Sequence, residues 1–358
     1  MNHEEKQANI TIVVPIFNGA KFVIETLDSI RRQNLSNCNV VLIDDGSTDK
    51  SPDIIRKYVI SNRLDWLIRL YSKNIGVALR VSQFISNSFN QQNSFILFLG
   101  QDDLLGESYI DNLRGRIDNT NLGAPIVYYP KLTVIDHAGS RVRHIKKSLV
   151  PWTTFKFLPL VLVFTNLVPS PGTIIPTALL QKIELHRKND CTHDWNLWLI
   201  LSLHCKFVEI QKCHVYYRKH TENLTKRCSS SIVYREQLEN VSLFCNSASS
   251  LEYFKKFSER DQVIAKVLIW LLKSLHNQEY GILLEKLIRQ ISIEQNYSFS
   301  RREKRIMDRK NSITNAWQSN QVGLKALVLD VFFSLKFWTG CLLRNLLFLY
   351  KRAEKKHE

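Results

Sequence analysis

The sequence predicts an α/β fold: a Rossmann-like mixed sheet, mainly parallel and flanked by helices, followed by a C-terminal α-helical region. Two observations carry this prediction. Over the first hundred residues, short apolar runs alternate with stretches in which apolar residues recur every three or four positions, the pattern of strands joined by helices. Beyond about residue 225 strand patterns fade, and long amphipathic stretches such as DQVIAKVLIWLLKSLH take over.

Four apolar runs predict the first four strands, and they are ITIVVPIFN (10–18), NVVLIDD (39–45), WLIRLY (66–71) and SFILFLG (94–100). Helices are predicted between them at 20–33, 51–62 and 77–89. The second opens with Ser-Pro, which often begins a helix. Strands that alternate with helices form a mainly parallel sheet. The ligand of such a sheet lies beyond the carboxyl ends of its strands.

The segment from 107 to about 220 has a mixed pattern. APIVYYPKLTVID followed by HAGSRV predicts a hairpin, PGTIIP a short strand, HDWNLWLILSLH a helix, and KFVEIQKCHVYYRKH a last extended stretch. We therefore predict one domain over 1–225 and a helical region over 226–358.

The chain of 358 residues has a formal net charge of +16 and is 44% hydrophobic, enough for a substantial core. Residues 1–225 contribute 26 basic and 20 acidic side chains, and residues 226–358 contribute 23 and 13. A basic C-terminal third is compatible with nucleic acid, an anionic membrane or solubility alone. The N-terminus lacks a signal-peptide pattern, which predicts a cytoplasmic location.

The seven cysteines are odd in number, widely spaced and without a C-x-x-C pair. This spacing argues against a disulfide framework and a zinc knuckle. We expect reduced, mostly packed thiols.

Two acidic pairs fall at the predicted carboxyl ends of strands. Asp44 and Asp45 end the second strand, and Asp102 and Asp103 follow the fourth. A solvated turn is the ordinary interpretation of such a pair, since Asp side chains bond to nearby backbone N–H groups. The edge of the sheet at which both pairs fall is also the edge at which a ligand binds.

Six segments, in this order, resemble the family 2 glycosyltransferases of the GT-A fold: VVPIFNGAKFVIETLDSI, VVLIDDGSTDKS, NIGVA, FLGQDDLL, HDWNLWLIL and YYRKHTENLT. The resemblance covers roughly residues 9–225. It implies an inverting transfer of a sugar from a nucleotide diphosphate donor to an acceptor hydroxyl, usually with Mg²⁺ or Mn²⁺. Residues 1–105 would bind the nucleotide sugar, and residues 106–225 would face the acceptor.

The resemblance implies metal ligands at two positions. Asp103 would bind the cation, and His220 would close over the diphosphate or the metal. Asp102 would contact the donor sugar or ribose. Many family members carry a further Asp where this chain has Gly100. Hard oxygen ligands suit a divalent cation that stabilises a departing diphosphate.

The donor-binding residues implied by the resemblance are Pro15, Phe17, Asp44, Asp45, Asn74 and Asp102. One of the two Asp in the second strand would accept a hydrogen bond from the base, and Phe17 would pack against the base or, alternatively, in the core. The Arg-Asn pair usual after the N-x-G segment is absent, and Arg80 is displaced by one position. A phosphate role for Arg80 is therefore left open.

Asp194 aligns with the catalytic base of the family, which takes the proton from the acceptor hydroxyl. It stands at the predicted start of a helix, where the helix dipole favours a charged carboxylate. The same position is also that of an ordinary helix N-cap. His193 stands where the family usually has Glu.

These observations predict an inverting glycosyltransferase, using a UDP-sugar and a lipid-linked glycan acceptor, of the bacterial cell-surface polysaccharide type. The stretch 324–352 is amphipathic, with five basic residues and one acid, and predicts peripheral attachment to an anionic membrane surface at the inner face of the cell membrane. The alternative is that this helix packs its apolar face on the protein's own core. Two alternatives are a catalytically inactive assembly partner and a nucleic-acid-binding protein. No nucleic-acid-binding motif supports the latter.

Overall fold

In the computed structural model, a mixed sheet of nine strands organises the part of the chain that the structure describes. The structure describes residues 9–88, 94–117, 125–144, 166–181 and 191–224, together with residues 158, 159, 162, 228, 232, 236, 240, 252 and 253. The sheet, with helices packed against it, confirms the predicted α/β class.

The first half of the sheet is parallel. Its strands are β1 (Asn9–Ile16), β2 (Cys38–Asp45), β3 (Leu67–Tyr71) and β4 (Ser94–Phe98). They lie in the order β3-β2-β1-β4, and all three pairings are parallel. Because consecutive residues of a strand face opposite sides of a sheet, the complete burial of Ile12, Val13 and Val14 shows that both faces are covered.

Three helices connect these strands, as the sequence predicts, and they are α1 (Val23–Arg31), α2 (Ser51–Ser61) and α3 (Val77–Ser88). The side chains of Val23, Leu27 and Ile30 lie in the hydrophobic core together with β1 and β2 residues. Their spacing of three and four residues places them on one face of α1.

The second half of the sheet mixes directions. Its elements are β5 (Leu104–Leu105), α4 (Tyr109–Ile117), β6 (Ile126–Ile135), β7 (Arg141–His144), β8 (Ile174–Pro176), α5 (Thr177–Leu180), α6 (His193–Leu201) and β9 (Lys206–Arg218). β8 pairs antiparallel with β4, and β6 pairs parallel with β9. The antiparallel β6–β7 pair is the predicted hairpin.

The pairing of β5 with β9 positions the site. Leu104 lies opposite Tyr216 in this antiparallel pair. Because Leu104 directly follows Asp103 and Tyr216 stands two residues before Arg218, the pairing brings the QDD segment next to the end of β9.

The expectation of reduced thiols is wrong for one pair. Cys191 and Cys228 form a disulfide, with Cα atoms 6.2 Å apart, a usual separation for a bridge. The fold brings together two cysteines that are 37 residues apart in sequence. Cys38, Cys205 and Cys213 are free thiols.

The described residues lie in one compact unit that ends at Tyr253. Among them, no helix is long and apolar enough to cross a membrane. The predicted amphipathic stretch 324–352 and most of the predicted helical region 226–358 lie outside the described residues, and the domain boundary near 225 stays a prediction.

Candidate active site

A cavity of about 690 Å³ opens where the parallel strands end. Seven of the residues singled out in the sequence line it: Pro15, Phe17, Asp45, Asn74, Asp102, Asp103 and Asp194. The residues of the β1, β2 and β4 ends meet here because carboxyl ends of parallel strands share one edge of a sheet. Asp44 and His220 stand outside this lining.

Asp45 is held by a buried arginine. Its Oδ1 accepts a hydrogen bond from Arg80 Nε at 2.6 Å, and its Oδ2 accepts the backbone N–H of Gly76 at 2.9 Å. The Arg80 guanidinium lies 3.6 Å from the ring centroid of Tyr71. Arg80, to which the sequence assigned no definite role, therefore fixes Asp45 and the start of α3 relative to β2.

Asp44 has a different environment. Its Oδ1 accepts the Ser47 N–H at 2.9 Å, and its buried Oδ2 has no hydrogen-bond partner within the described structure. The chain then turns at Gly46, whose φ is +75°. A Cβ there would lie 2.6 Å from the backbone nitrogen of Asn74, so only glycine fits this close approach.

Gln101 connects the ends of β1 and β4. The Phe17 N–H donates to Gln101 Oε1 at 2.8 Å, and Gln101 Nε2 donates to the Phe17 carbonyl at 3.0 Å. Thr26 Oγ1 donates to the Gln101 carbonyl at 2.8 Å. Gln101 thus sets the position of Phe17 at the cavity, a role that the sequence pattern did not reveal.

Asp103 is buried beside the cavity. Its Oδ1 accepts the Arg218 N–H at 3.0 Å. Burial, followed by the charge of Asp102, raises the pKa of Asp103 well above its ordinary value.

Gly100 leaves a gap beside both acidic side chains. An ideal Cβ on Gly100 would lie 2.7 Å from Asp103 Oδ2 and 2.9 Å from Asp102 Oδ1. Two carboxylate oxygens thus converge on a space that any other residue would fill. Such a donor set fits a hard divalent cation that takes its remaining ligands from a diphosphate and water. Within the described part of the chain, no group of three or more His, Cys, Asp or Glu side chains forms a metal cluster.

Asp102 is bonded to the segment that follows β9. Its Oδ2 lies 2.8 Å from His220 Nε2 and 3.1 Å from Asn223 Nδ2. Because His220 Nδ1 accepts the Glu222 N–H, Nε2 carries the proton and donates to Asp102. His220 thus contacts the acidic pair through Asp102.

Arg218 joins four parts of the site, and its side chain is completely buried. Its Nε donates to the Asp102 carbonyl at 3.0 Å, and one terminal nitrogen donates to the His137 carbonyl at 3.1 Å. The other pairs with Glu25 at 2.6 Å. In the sequence, Arg218 stands in the YYRKHTENLT segment of the resemblance, but no role was assigned to this arginine.

Asp194 also lines the cavity and lies in the first turn of α6. Thr192, not Asp194, is the N-cap residue. Asp194 Oδ1 accepts the Trp195 N–H at 2.7 Å, and Oδ2 accepts from Asn166 Nδ2 at 3.1 Å. Each carboxylate oxygen keeps a lone pair for a further proton donor.

The profile of Glycosyl transferase family 2 matches residues 11–164. This stretch holds both acidic pairs, strands β2 to β4 and all but the first two residues of β1. These residues thus form a family 2 glycosyltransferase domain. An uncharacterized glycosyltransferase of Rickettsia typhi is 22% identical to this chain over 261 residues, 72% of this chain and 75% of the relative. Two further rickettsial glycosyltransferases align over 57% and 36% of their own lengths.

Solved structures share the fold of this chain. Residues 1–349 of S. aureus TarS in complex with UDP-GlcNAc align with a TM-score of 0.53 at 18% identity, over 82% of this chain and 93% of TarS 1–349. The mannosyltransferase PcManGT of Pyrobaculum calidifontis, in complex with GDP-Man and Mn²⁺, aligns with a TM-score of 0.52 at 12% identity, over 90% and 86%. At these identities the likeness concerns the fold.

Proposed function

We propose that this glycosyltransferase transfers a sugar, with inversion, from a UDP-sugar to a hydroxyl of a lipid-linked glycan acceptor in surface polysaccharide synthesis. The observation that carries the proposal is the presence of Asp102, Asp103 and Asp194 in the lining of one cavity. A single displacement needs charge stabilisation at the leaving diphosphate and a proton acceptor at the attacking hydroxyl. The two sets of carboxylates can supply these separate needs.

Asp194 is the proposed base. As the acceptor oxygen bonds to the anomeric carbon and the bond to the diphosphate breaks, Asp194 takes the hydroxyl proton. Asn166 and the Trp195 N–H hold its carboxylate in place.

Asp103 and Asp102 would hold Mg²⁺ or Mn²⁺. When bound, the cation supplies positive charge that stabilises the departing diphosphate. Asp103 contributes a carboxylate that the Arg218 backbone orients. His220 and Asn223 orient the Asp102 carboxylate. His220 therefore acts through Asp102 in this proposal, a change from the predicted direct role.

The nucleotide would lie over the ends of β1 and β2. Pro15, Phe17, Asp45 and Asn74 line this part of the cavity. Arg80 and backbone N–H groups already occupy both oxygens of Asp45. Asp45 would therefore mainly shape the base pocket. It would accept a hydrogen bond from the base only through a lone pair that these contacts leave unused. The solved complex of TarS, a protein whose fold this chain shares, with UDP-GlcNAc supports a nucleotide-sugar donor.

The direct test is hydrolysis of a panel of nucleotide sugars, UDP-GlcNAc, UDP-Glc, UDP-Gal and GDP-Man, with Mn²⁺, with Mg²⁺ and with EDTA. Water serves as the acceptor, so no glycan is needed. We expect one UDP-sugar to be cleaved in the presence of metal only. Absence of cleavage and of UDP binding across the panel would favour the inactive assembly partner.

Substitution of the base gives the first prediction. Asp194→Asn keeps the shape of the side chain but cannot take a proton, so turnover should fall about 10²- to 10⁴-fold. The stabilisation of the protein by UDP and Mn²⁺ in a thermal melt should stay unchanged. Asp65→Asn, at an exposed position outside the cavity, is the control. Turnover of Asp194→Asn at the wild-type rate would refute the assignment.

A further inference from the structure

Two buried polar residues that follow the predicted domain boundary contact the start of α6. The Thr192 N–H and Oγ1 both donate to Glu236 Oε2 at 3.0 Å. Asn240 Nδ2 donates to Thr192 Oγ1 at 2.9 Å, and Asn196 Nδ2 donates to Asn240 Oδ1 at 2.9 Å. Glu236 and Asn240 thus bond to residues on both sides of Asp194.

The burial of these groups makes the contacts costly to lose. Thr192, Glu236 and Asn240 are 4%, 7% and 2% exposed. When a buried carboxylate or amide has no hydrogen-bond partner, the free-energy cost of its desolvation is not compensated. Because Glu236 and Asn240 are both helical and four residues apart, they lie on one face and reach α6 together.

The side chain of the N-cap residue is itself used for this contact. Thr192 makes no side-chain capping bond to its own helix, although threonine at this position usually does so. Its hydroxyl is shared between Glu236 and Asn240 instead. The disulfide from the adjacent Cys191 to Cys228 adds a covalent connection between the same parts of the chain.

We propose that Glu236 and Asn240 are positioning residues for Asp194, which they hold toward the cavity by fixing the first turn of α6. This inference rests on the proposed function, in which Asp194 is the base. Asp194 bonds to Asn166 and to the next backbone N–H, but neither contact fixes the helix that carries it. A displacement of a reacting group by about 1 Å can reduce turnover about 10²-fold.

The test measures kcat and KM for the UDP-sugar that the hydrolysis panel identifies, in the full chain. Glu236→Ala should reduce kcat about 10- to 100-fold while KM and the UDP-dependent rise in melting temperature stay unchanged. Glu236→Gln should restore most of the activity, because its amide oxygen still accepts from Thr192. Glu252→Ala, at an exposed glutamate, is the matched control.

A double-mutant cycle separates positioning from a general loss of structure. If Glu236 acts through Asp194, Glu236→Ala should cause little further loss in the Asp194→Asn background. The proposal would be overturned if the kcat loss of the double variant equalled the product of the two single-variant losses. It would also be overturned if Glu236→Gln were as impaired as Glu236→Ala. Wild-type turnover in Asp194→Asn alone would instead refute the base itself. If Glu236→Ala does not fold, Asn240→Ala enters the same cycle with the same expected outcomes.

Discussion

Asp103 carries a carboxyl group that is both buried and required in its charged form by the proposed chemistry. Burial and the charge of Asp102 raise its pKa. The folded protein therefore binds more protons than the unfolded chain at pH values between the two pKa values. The free energy of unfolding contributed by this group falls as pH rises through that window. The site thus costs stability in the absence of a cation.

Asp103→Asn should raise the melting temperature of the metal-free protein at pH 7, because the amide keeps an acceptor for the Arg218 N–H without a buried charge. The gain should shrink toward pH 4, because Asp103 is then protonated in the folded protein and about half protonated in the unfolded chain, whose Asp pKa is about 3.9. Thermal melts in EDTA between pH 4 and 8 measure this. Mn²⁺ with UDP should stabilise the wild type and not the variant, whose transfer activity should be lost.

Asp65→Asn removes the same charge at an exposed position and is the control for net charge. A melting temperature of Asp103→Asn at or below that of the wild type over the whole range would contradict the assigned cause.

A second prediction at the residue scale concerns Arg218, whose side chain is completely buried whereas its ion-pair partner Glu25 is half exposed. Arg218→Met leaves buried carbonyls without a donor, at about 1–3 kcal/mol each. Glu25→Gln removes only a half-exposed ion-pair partner, which should cost less than about 1 kcal/mol. Urea denaturation compares the two. Equal losses would show that the ion pair, and not the bonds to the carbonyls, is the stabilising contact.

At the scale of elements, β9 links the site to the core. Cys213 in this strand is buried and contacts the Tyr109 carbonyl of α4. Tyr109 in turn donates to the Gly172 carbonyl. These contacts place α4 and the turn before β8 against the same strand that ends at Arg218.

Burial raises the pKa of the Cys213 thiol to about 12, whereas an exposed thiol has a pKa of about 8.5. Between these values the folded state keeps a proton that the unfolded state has lost. The free energy of unfolding should therefore decrease as pH rises above about 9. Cys213→Ala should reduce this slope by up to about 1.4 kcal/mol per pH unit. Urea denaturation at pH 8 to 11 measures it, and an unchanged slope would contradict the prediction.

The elements were predictable where one local pattern decides them. β1, β2 and β4 are apolar on both faces, and their flanking helices repeat apolar residues with helical spacing. The roles of Gln101, Arg80 and Arg218 could not be predicted from the sequence, because each depends on a partner distant in sequence. The same holds for Glu236, and for the disulfide, since cysteine spacing says nothing of which thiols the fold brings together.

At the scale of the whole molecule, the proposed acceptor requires an interaction with membranes. The stretch 324–352, outside the described residues, has a net charge of +4 from five basic residues and one acid. Near an anionic surface this charge contributes about 4 kcal/mol at about 1 kcal/mol per basic residue. Its apolar half, with Leu327, Val331, Leu335, Trp338 and Leu342, would enter the interface.

Flotation with liposomes tests this attachment. The full chain should float with anionic vesicles and much less with zwitterionic ones. Replacement of Lys336, Arg344 and Lys351 by Gln should reduce flotation with anionic vesicles without change in nucleotide-sugar hydrolysis. Equal flotation of the variant would show that these charges do not hold the protein at the surface.

The gap at Gly100 limits which substitutions the site can accept. Any β-carbon at this position would collide with the oxygens of Asp102 and Asp103, so a third acid could enter only if both neighbours moved. The side-chain amide of Gln101 bonds to the backbone of Phe17 through both its oxygen and its nitrogen. These two bonds fix the backbone between Gly100 and Asp102. Gly100, Gln101, Asp102 and Asp103 are therefore coupled by contact. A Gly100→Asp substitution would add a third acid only by displacing the other two carboxylates, so we expect it to weaken metal binding unless a second substitution makes room.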